Sequence, residues 1–168
     1  MQRQPRIGVL GPAVCSPQLE EIARHIGRQI ASQGGILVCG GGTGVMEAAA
    51  RGAHEAGGLT VGILPGARAC DANPHIDIPV VTGLGDARNV INVLTSQAVI
   101  AIGGAAGTLS EIALAMKCGT PVVGLETWVL TPPPDQPPPP IHKARTPEEA
   151  VAVALRLIRG ERPPVTAV

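Results

Sequence analysis

Two glycine-rich turns are the segments of this chain best suited to bind a ligand. Residues 40–47 read GGGTGVME, and residues 103–111 read GGAAGTLSE. Each turn follows a short apolar run, at residues 35–39 and 98–102, and precedes an alanine-rich helical pattern. A glycine turn between a strand and a helix leaves backbone N–H groups open to an anion. We therefore predict that both turns hold one phosphate-bearing ligand in a single crevice.

Three charged side chains could act on such a ligand: Glu47, Glu111 and Arg88. The glutamates follow the glycine turns, and Arg88 stands where a helix begins after the fourth predicted strand. Arginine binds phosphate or carboxylate through paired hydrogen bonds. Each residue also has a structural explanation. Glu111 would close a T-x-x-E capping box with Thr108, and Glu47 would complement its helix dipole. Arg88 would pair with Asp86 at the surface.

The familiar phosphate-binding motifs do not match these turns. The dinucleotide fingerprint G-x-G-x-x-G fails because Val45 stands at its last glycine position and because the turn follows the second strand. A P-loop fails because neither turn contains the Gly-Lys-Ser/Thr step. Lys117 and Lys143 are the only lysines, and neither stands where a pyridoxal Schiff base would form. We therefore expect no required cofactor.

The composition argues against nucleic acid and membrane partners. Lys plus Arg and Asp plus Glu each total 13, so the net charge is zero and no charge excess points to a polyanion. The chain contains one tryptophan, Trp128, and no Phe or Tyr, so it lacks the aromatic side chains on which nucleic-acid bases would stack. No apolar run approaches the roughly 20 residues of a membrane helix. We expect a single domain over residues 1–168, located in the cytoplasm.

Cysteines and histidines carry no signature of a metal site or a nucleophile. The cysteines lack any C-x-x-C pair, so we predict no metal site, no disulfide and small buried side chains. The histidines stand in no diagnostic context, and we expect them to be structural. The four cysteines are Cys15, Cys39, Cys70 and Cys118, and the four histidines are His25, His54, His75 and His142.

Strand-like apolar runs alternate with helical patterns along the chain. This alternation predicts an α/β protein with an open, doubly wound parallel sheet, a Rossmann-like three-layer α/β/α sandwich. We predict strands near residues 6–10, 35–39, 60–64, 78–81, 98–102 and 121–125. We predict helices near residues 17–33, 44–56, 86–95, 108–118 and 147–159. Residues 131–140 (TPPPDQPPPP) predict a stiff, proline-rich surface loop.

These motifs resemble the Lonely Guy family, part of a Rossmann-like superfamily whose members are often labelled lysine decarboxylases. Residues 103–111 match the family signature P-G-G-x-G-T-x-x-E if one spacer residue is added, and residues 40–47 resemble its first glycine turn. The resemblance implies a nucleoside 5′-monophosphate phosphoribohydrolase that releases free base and ribose 5-phosphate. It assigns catalysis to Arg88 and Glu111 and places the site at a homodimer interface.

Two departures bring the chain closer to a sister branch of that superfamily. Ile102 stands where the signature has Pro, and Asn89 stands where the Arg-Lys pair has Lys. The pattern is similar to the molybdenum-cofactor carrier proteins, which bind a phosphorylated pterin without hydrolysing it. That resemblance implies molybdenum cofactor as the carried ligand, and a homodimer or homotetramer.

Our preferred interpretation is a protein that binds a phosphorylated, nucleotide-like ligand as a carrier, and the alternative is the phosphoribohydrolase. Catalysis, under the alternative, would fall to Arg88 and Glu111. The predicted ligand-binding residues are Gly40, Gly41, Gly42, Thr43, Gly44, Glu47, Asn89, Gly103, Gly104, Gly107 and Thr108.

Overall fold

A computed structural model describes residues 4–161, which form seven strands and five α-helices joined by short turns. The strands are β1 (Arg6–Leu10), β2 (Ile36–Cys39), β3 (Thr60–Leu64), β4 (Ile78–Val81), β5 (Ala98–Gly103), β6 (Val122–Thr127) and β7 (Ile141–Lys143). The helices are α1 (Pro17–Ser32), α2 (Val45–Glu55), α3 (Asn89–Thr95), α4 (Ala106–Cys118) and α5 (Pro147–Ile158). Two 3₁₀ turns cover Ala69–Asp71 and Gly85–Arg88.

All seven strands are parallel, in the order β4-β3-β2-β1-β5-β6-β7. The chain builds outward from β1 in one direction through β2 to β4, then returns to the other side of β1 at β5. The order therefore reverses between β1 and β5, where Leu10 pairs with Ala101. This confirms the predicted doubly wound parallel sheet. In such sheets a crevice opens beyond the carboxyl ends of the strands at the reversal point.

Helices cover both faces of the sheet. The residues of β5 alternate between two apolar cores, with Ile100 and Ile102 in one and Val99 and Ala101 in the other. The first core includes residues from α1, α2 and α5, and the second includes residues from α3 and α4. Because successive strand residues point to opposite faces, this division confirms the three-layer sandwich.

Local sequence signals account for the helix starts that were predicted well. Ser16 caps α1 by accepting a hydrogen bond from the Leu19 amide at 3.2 Å. Thr146 caps α5 in the same way from the Glu149 amide at 3.2 Å. Pro17 and Pro147 occupy the first turn of their helices, where a missing N–H costs nothing.

The structure corrects the predicted secondary structure in three places. Helix α4 begins at Ala106 rather than Thr108. The segment predicted as one helix over residues 86–95 is a 3₁₀ turn followed by the short helix α3. In the turn the Ala87 amide donates to the Leu84 carbonyl three residues earlier, which is the 3₁₀ pattern. A seventh strand, β7, follows the proline-rich loop 131–140. Three residues are too few for periodicity to reveal, and pairing with β6 creates this strand.

The prediction that all four cysteines are buried is wrong for Cys70 and Cys118. Cys39 is buried and Cys15 is half-buried, whereas Cys70 and Cys118 are exposed. Cys70 lies in a 3₁₀ turn and Cys118 ends α4, so neither position faces a core. All four thiols are free. Within residues 4–161, no helix is both long enough and apolar enough to cross a bilayer.

Candidate functional site

A cavity of about 180 Å³ lies where the carboxyl ends of β1 and β5 meet. Four chain segments line it: the loop after β1, the start of α2, the turn that leads into α3, and the start of α4. The lining residues are Gly11, Pro12, Ala13, Met46, Asp86, Arg88, Asn89, Ala105, Gly107, Thr108 and Glu111. Arg88 and Glu111 therefore share one cavity at the switch point of the sheet.

The start of α4 presents hydrogen-bond donors to this cavity. Ala105 precedes the helix in an extended conformation, and no side chain of residues 4–161 caps the first turn. The amides of Gly107 and Thr108, in that first turn, have no intrahelical acceptor. A Cβ at Gly107 would meet no atom of the described residues within 4 Å, so space is open beside the backbone. These are the properties of an anion-binding helix terminus.

A buried hydroxyl without a partner lies in the same turn. Thr108 is 2% exposed, and its Oγ1 has no hydrogen-bond partner among the described residues. An unpaired buried hydroxyl costs roughly 1–3 kcal/mol. Since Thr108 lines the cavity, a ligand atom or a water bound there would remove that cost.

The capping-box explanation for Glu111 is wrong. Thr108 is the third residue of α4 and not its N-cap, because the helix begins at Ala106. The Glu111 carboxylate instead accepts a hydrogen bond from another element: Asn92 Nδ2 of α3 donates to Glu111 Oε1 at 3.0 Å. The side-chain carbonyl Oδ1 of Asn92 has no partner in residues 4–161.

Burial governs the electrostatics of Glu111, which is 8% exposed. Burial raises the pKa of Glu111 above its usual value, because a desolvated carboxylate is disfavoured. The Asn92 hydrogen bond and the positive charge of Arg88 both favour the carboxylate and limit that rise in pKa. Glu111 is thus a carboxyl group in a desolvated cavity, suited to hydrogen bonding and to proton transfer.

Arg88 is held in place by contacts with β3 and with the glycine turn after β2. Its Nη1 donates to the carbonyl of Ile63 at the end of β3, at 3.0 Å. A Cβ at Gly40 would collide with the Arg88 guanidinium, so the guanidinium occupies the space beside that glycine. Nε of Arg88 is buried and has no partner in the described part of the chain. The expected surface pairing with Asp86 is absent from the ion pairs of residues 4–161.

The first glycine turn is hydrogen-bonded to Asn73 and to the loop after β1, which lines the cavity. Asn73 ties it down: the Asn73 amide donates to the Gly41 carbonyl at 2.9 Å, and Asn73 Nδ2 donates to the Gly42 carbonyl at 2.8 Å. Thr43 Oγ1 donates to the Ala13 carbonyl at 3.0 Å, in the loop after β1. Gly44 has φ 63° and packs so closely on the same loop that a Cβ would clash with its backbone. This turn therefore fixes the loop that lines the cavity.

The predicted site residues fall into two groups. Arg88, Asn89, Gly107, Thr108 and Glu111 come together at the cavity. The other predicted residues are not among those that line the cavity in the described chain, and their part in ligand binding stays a prediction. These residues are Gly40, Gly41, Gly42, Thr43, Gly44, Glu47, Gly103 and Gly104. Gly103 packs against Pro12 and Leu19, and Gly104 lies beside Trp128.

Sequence reasoning missed the loop after β1 and Asn92. The signal for the loop was the Gly11-Pro12 step at the end of a buried strand, because the first strand of a doubly wound sheet borders the switch point. The signal for Asn92 was its place four residues after Arg88, which puts the two on one face of a helical segment.

The histidines lie outside the cavity lining of the described chain. His25 Nε2 is 2.9 Å from Glu148 Oε1, and His54 Nδ1 is 3.6 Å from Asp77 Oδ1. His142 lies on β7, where burial lowers the pKa of its imidazole. Within residues 4–161, no three His, Cys, Asp or Glu side chains are grouped so that they could hold a metal ion.

Solved structures of similar proteins share this fold along nearly the whole chain. The molybdenum cofactor binding protein of Rippkaea orientalis is 39% identical, with a TM-score of 0.84 over 94% of this chain and 99% of that one. The molybdenum cofactor carrier protein of Chlamydomonas reinhardtii is 37% identical, with a TM-score of 0.80 over 95% of this chain and 100% of that one.

The enzyme branch is also represented among the relatives. The cytokinin riboside 5′-monophosphate phosphoribohydrolase of Mycobacterium tuberculosis is 34% identical over 120 residues, which is 66% of this chain and 64% of that protein. The model of the SLOG cluster4 family matches residues 4–153, a span that contains every residue of the cavity. The sequence motifs, the doubly wound sheet and this match agree, and the chain belongs to the SLOG cluster4 family.

Proposed function

We propose that this protein binds a phosphorylated, nucleotide-like small molecule at the β1–β5 cavity and acts as a carrier for it. The observation that carries the proposal is the Thr108 hydroxyl, which is 2% exposed and has no hydrogen-bond partner within residues 4–161. It lies in the same first turn of α4 as the amides that have no intrahelical acceptor. A phosphate oxygen accepts hydrogen bonds from both kinds of donor at once. The phosphate would therefore lie on the first turn of α4, with Gly107 beside it.

The rest of the cavity suits the part of a ligand next to its phosphate. Arg88 offers positive charge and a buried Nε that lacks a partner in residues 4–161. Pro12 and Met46 offer apolar surface. At about 180 Å³ the cavity is smaller than the 300–1,000 Å³ typical of sites that enclose a whole drug-sized molecule. It would hold the phosphate end of the ligand, and the ring system would extend toward the opening.

The two similar solved structures favour molybdenum cofactor as the carried molecule. Both are described as molybdenum cofactor proteins, one of them as a carrier. This cofactor is a pterin with a phosphate, so the α4 terminus would hold its phosphate as it would hold that of a nucleotide. The metal belongs to the cargo and requires no ligand from this chain.

The second candidate is hydrolysis of a nucleoside 5′-monophosphate, favoured by the presence of Arg88 and Glu111 at one cavity. Water would add to C1′ of the ribose as the N-glycosidic bond breaks, and the base would leave with its electron pair and gain a proton. A carboxylate near C1′ stabilises the positive charge that develops there. Burial of Glu111 works against this role, because burial raises its pKa and so disfavours the carboxylate that would stabilise the cation.

One experiment separates the two candidates. The protein is incubated with AMP and other monophosphates, free base is measured by chromatography, and binding is measured by the shift in melting temperature. A carrier shows a thermal shift with AMP or molybdenum cofactor and releases no base. Base release that Glu111→Gln abolishes, and that the exposed control Glu21→Gln leaves intact, would overturn the carrier proposal.

Two further predictions remain part of this proposal, an oligomeric state from the resemblance and a location from the sequence composition. We expect a homodimer or homotetramer, which light scattering on a sizing column would measure. We also expect the protein to work in the cytoplasm, which fractionation of its native cells would test.

A further inference from the structure

The end of β6 contacts the second glycine turn through two hydrogen bonds. Thr127 Oγ1 donates to the carbonyl of Gly103 at 2.6 Å. Trp128 Nε1 donates to the carbonyl of Ala105 at 3.3 Å. Both acceptors are backbone carbonyls of the turn that leads into α4, and both donors come from β6 or the residue that follows it.

An irregularity in β6 makes these contacts possible. Ile102 pairs with Leu125, but the next residue, Gly103, pairs with Thr127, so Glu126 is left over as a bulge. Glu126 has φ 50°, the one positive value at a non-glycine position in residues 4–161. This left-handed conformation disfavours a residue with a side chain, and such outliers are kept where the surrounding structure needs them. Here the extra residue turns Thr127 and Trp128 toward the glycine turn.

The two hydrogen bonds help to fix where the amides of the turn point. The Ala105 carbonyl also accepts the first bond of α4, from the Leu109 amide at 3.1 Å, so the helix and Trp128 hold this carbonyl together, whereas Thr127 holds that of Gly103. In a trans peptide the C=O and the following N–H point in opposite directions, and residues 4–161 contain no cis peptide. When Gly103 and Ala105 direct their carbonyls toward β6, the amides of Gly104 and Ala106 point away from β6. β1 lies on the opposite side of β5 from β6, and the cavity opens between β1 and β5.

We propose that Thr127 and Trp128 are positioning residues that orient the amides of Gly104 and Ala106 for an anion at the start of α4. The proposal rests on the proposed function, because it assumes that the α4 terminus binds phosphate. It adds that the affinity for the anion is set in part by Thr127, at the end of β6, and by Trp128, which follows it, and neither is among the residues that line the cavity in the described chain. Preorganised donors bind more tightly because binding does not have to order them.

Conservative variants test the contribution of Thr127. Thr127→Val keeps the shape of the side chain and removes the hydroxyl, whereas Thr127→Ser keeps the hydroxyl. We expect Thr127→Val to weaken AMP binding by about five- to tenfold, the effect of one lost hydrogen bond, and Thr127→Ser to restore it. Thr95→Val is the matched control, since Thr95 Oγ1 donates to the Ile91 carbonyl at the same 2.6 Å but lies in α3.

Trp128 supplies an independent readout, because it is the one tryptophan of a chain without tyrosine. We expect AMP and inorganic phosphate to change the emission of Trp128, since its indole N–H is bonded to the turn. Trp128→Phe should weaken AMP binding by a similar factor. Ligand-free melting temperatures, measured alongside, report the structural cost of each variant.

The outcomes separate the two proposals. If the wild type binds AMP and Thr127→Val and Trp128→Phe bind it with unchanged affinity, the positioning role is wrong and the proposed function stands. If Thr95→Val weakens binding as much as Thr127→Val, the effect is general destabilisation and the positioning role is again wrong. If the wild type binds none of AMP, inorganic phosphate and molybdenum cofactor, both proposals are wrong.

Discussion

Asn92 of α3 donates a hydrogen bond of 3.0 Å to the carboxylate of Glu111 in α4, and both residues are at least nine-tenths buried. The bond joins two helices on one face of the sheet, beside the cavity. The bond gives a desolvated carboxylate one donor, whereas Oδ1 of Asn92 accepts no hydrogen bond from any group within residues 4–161. The pair therefore links the stability of this region to the protonation of Glu111.

The pH dependence of stability should reveal this link. Burial raises the pKa of Glu111 in the folded protein, so the folded state holds its proton at pH values where the unfolded state has lost it. Stability is therefore lost as the pH rises from the unfolded pKa through the folded pKa of Glu111. Glu111→Gln keeps an oxygen acceptor for Asn92 and cannot ionise. We expect it to melt at a higher temperature than the wild type at pH 7, with the difference vanishing near pH 4. Equal differences at both pH values would contradict this prediction.

Thr108→Val should affect stability and binding in opposite directions. The substitution removes a buried hydroxyl that has no partner in the described structure, so we expect the ligand-free protein to be as stable as the wild type or more stable, by up to about 1–2 kcal/mol. AMP binding should fall at least about tenfold. Urea unfolding and calorimetry measure the two effects, and Thr108→Ser should behave like the wild type in both. A destabilised Thr108→Val would show that the hydroxyl is satisfied in the ligand-free protein.

Gly40→Ala should disturb Arg88. The new Cβ would collide with the guanidinium, whose Nη1 is also bonded to Ile63. We expect a loss of roughly 1–3 kcal/mol in the free energy of unfolding, measured in urea, because the guanidinium has to move away from its bond to Ile63. Gly107→Ala is the matched control, since a Cβ there meets no neighbour within 4 Å among residues 4–161. Its free energy of unfolding should change by less than about 0.5 kcal/mol.

Thiol reactivity should distinguish the four cysteines. Burial raises the pKa of the Cys39 thiol to about 11, so at pH 8 it remains a protonated, inaccessible thiol. Cys70 and Cys118 are exposed and should react first with Ellman's reagent. We expect Cys39 to react only after denaturation. In a Cys70→Ser, Cys118→Ser double variant the fast phase should disappear, and rapid labelling of Cys39 in that variant would contradict its burial.

Much of this protein follows from local sequence. Strands such as β1 and β5 are short runs of Val, Ile and Leu, and helices such as α1 and α5 begin at recognisable caps, so the alternation predicted a doubly wound sheet. The second glycine turn predicted a helix terminus that could bind an anion. These features depend on side-chain periodicity and turn chemistry within a few residues, which a sequence displays directly.

The composition of the cavity was decided by tertiary structure. Parallel pairing places β1 beside β5, about ninety residues later in the chain, and so brings Pro12 to the second glycine turn. The same packing lays Arg88 on Gly40 and joins Asn92 to Glu111. Such contacts depend on which strands are neighbours and which helix faces meet. Which strands and helix faces become neighbours depends on the burial of the whole core, to which every element contributes. A single segment of the sequence therefore does not determine these contacts.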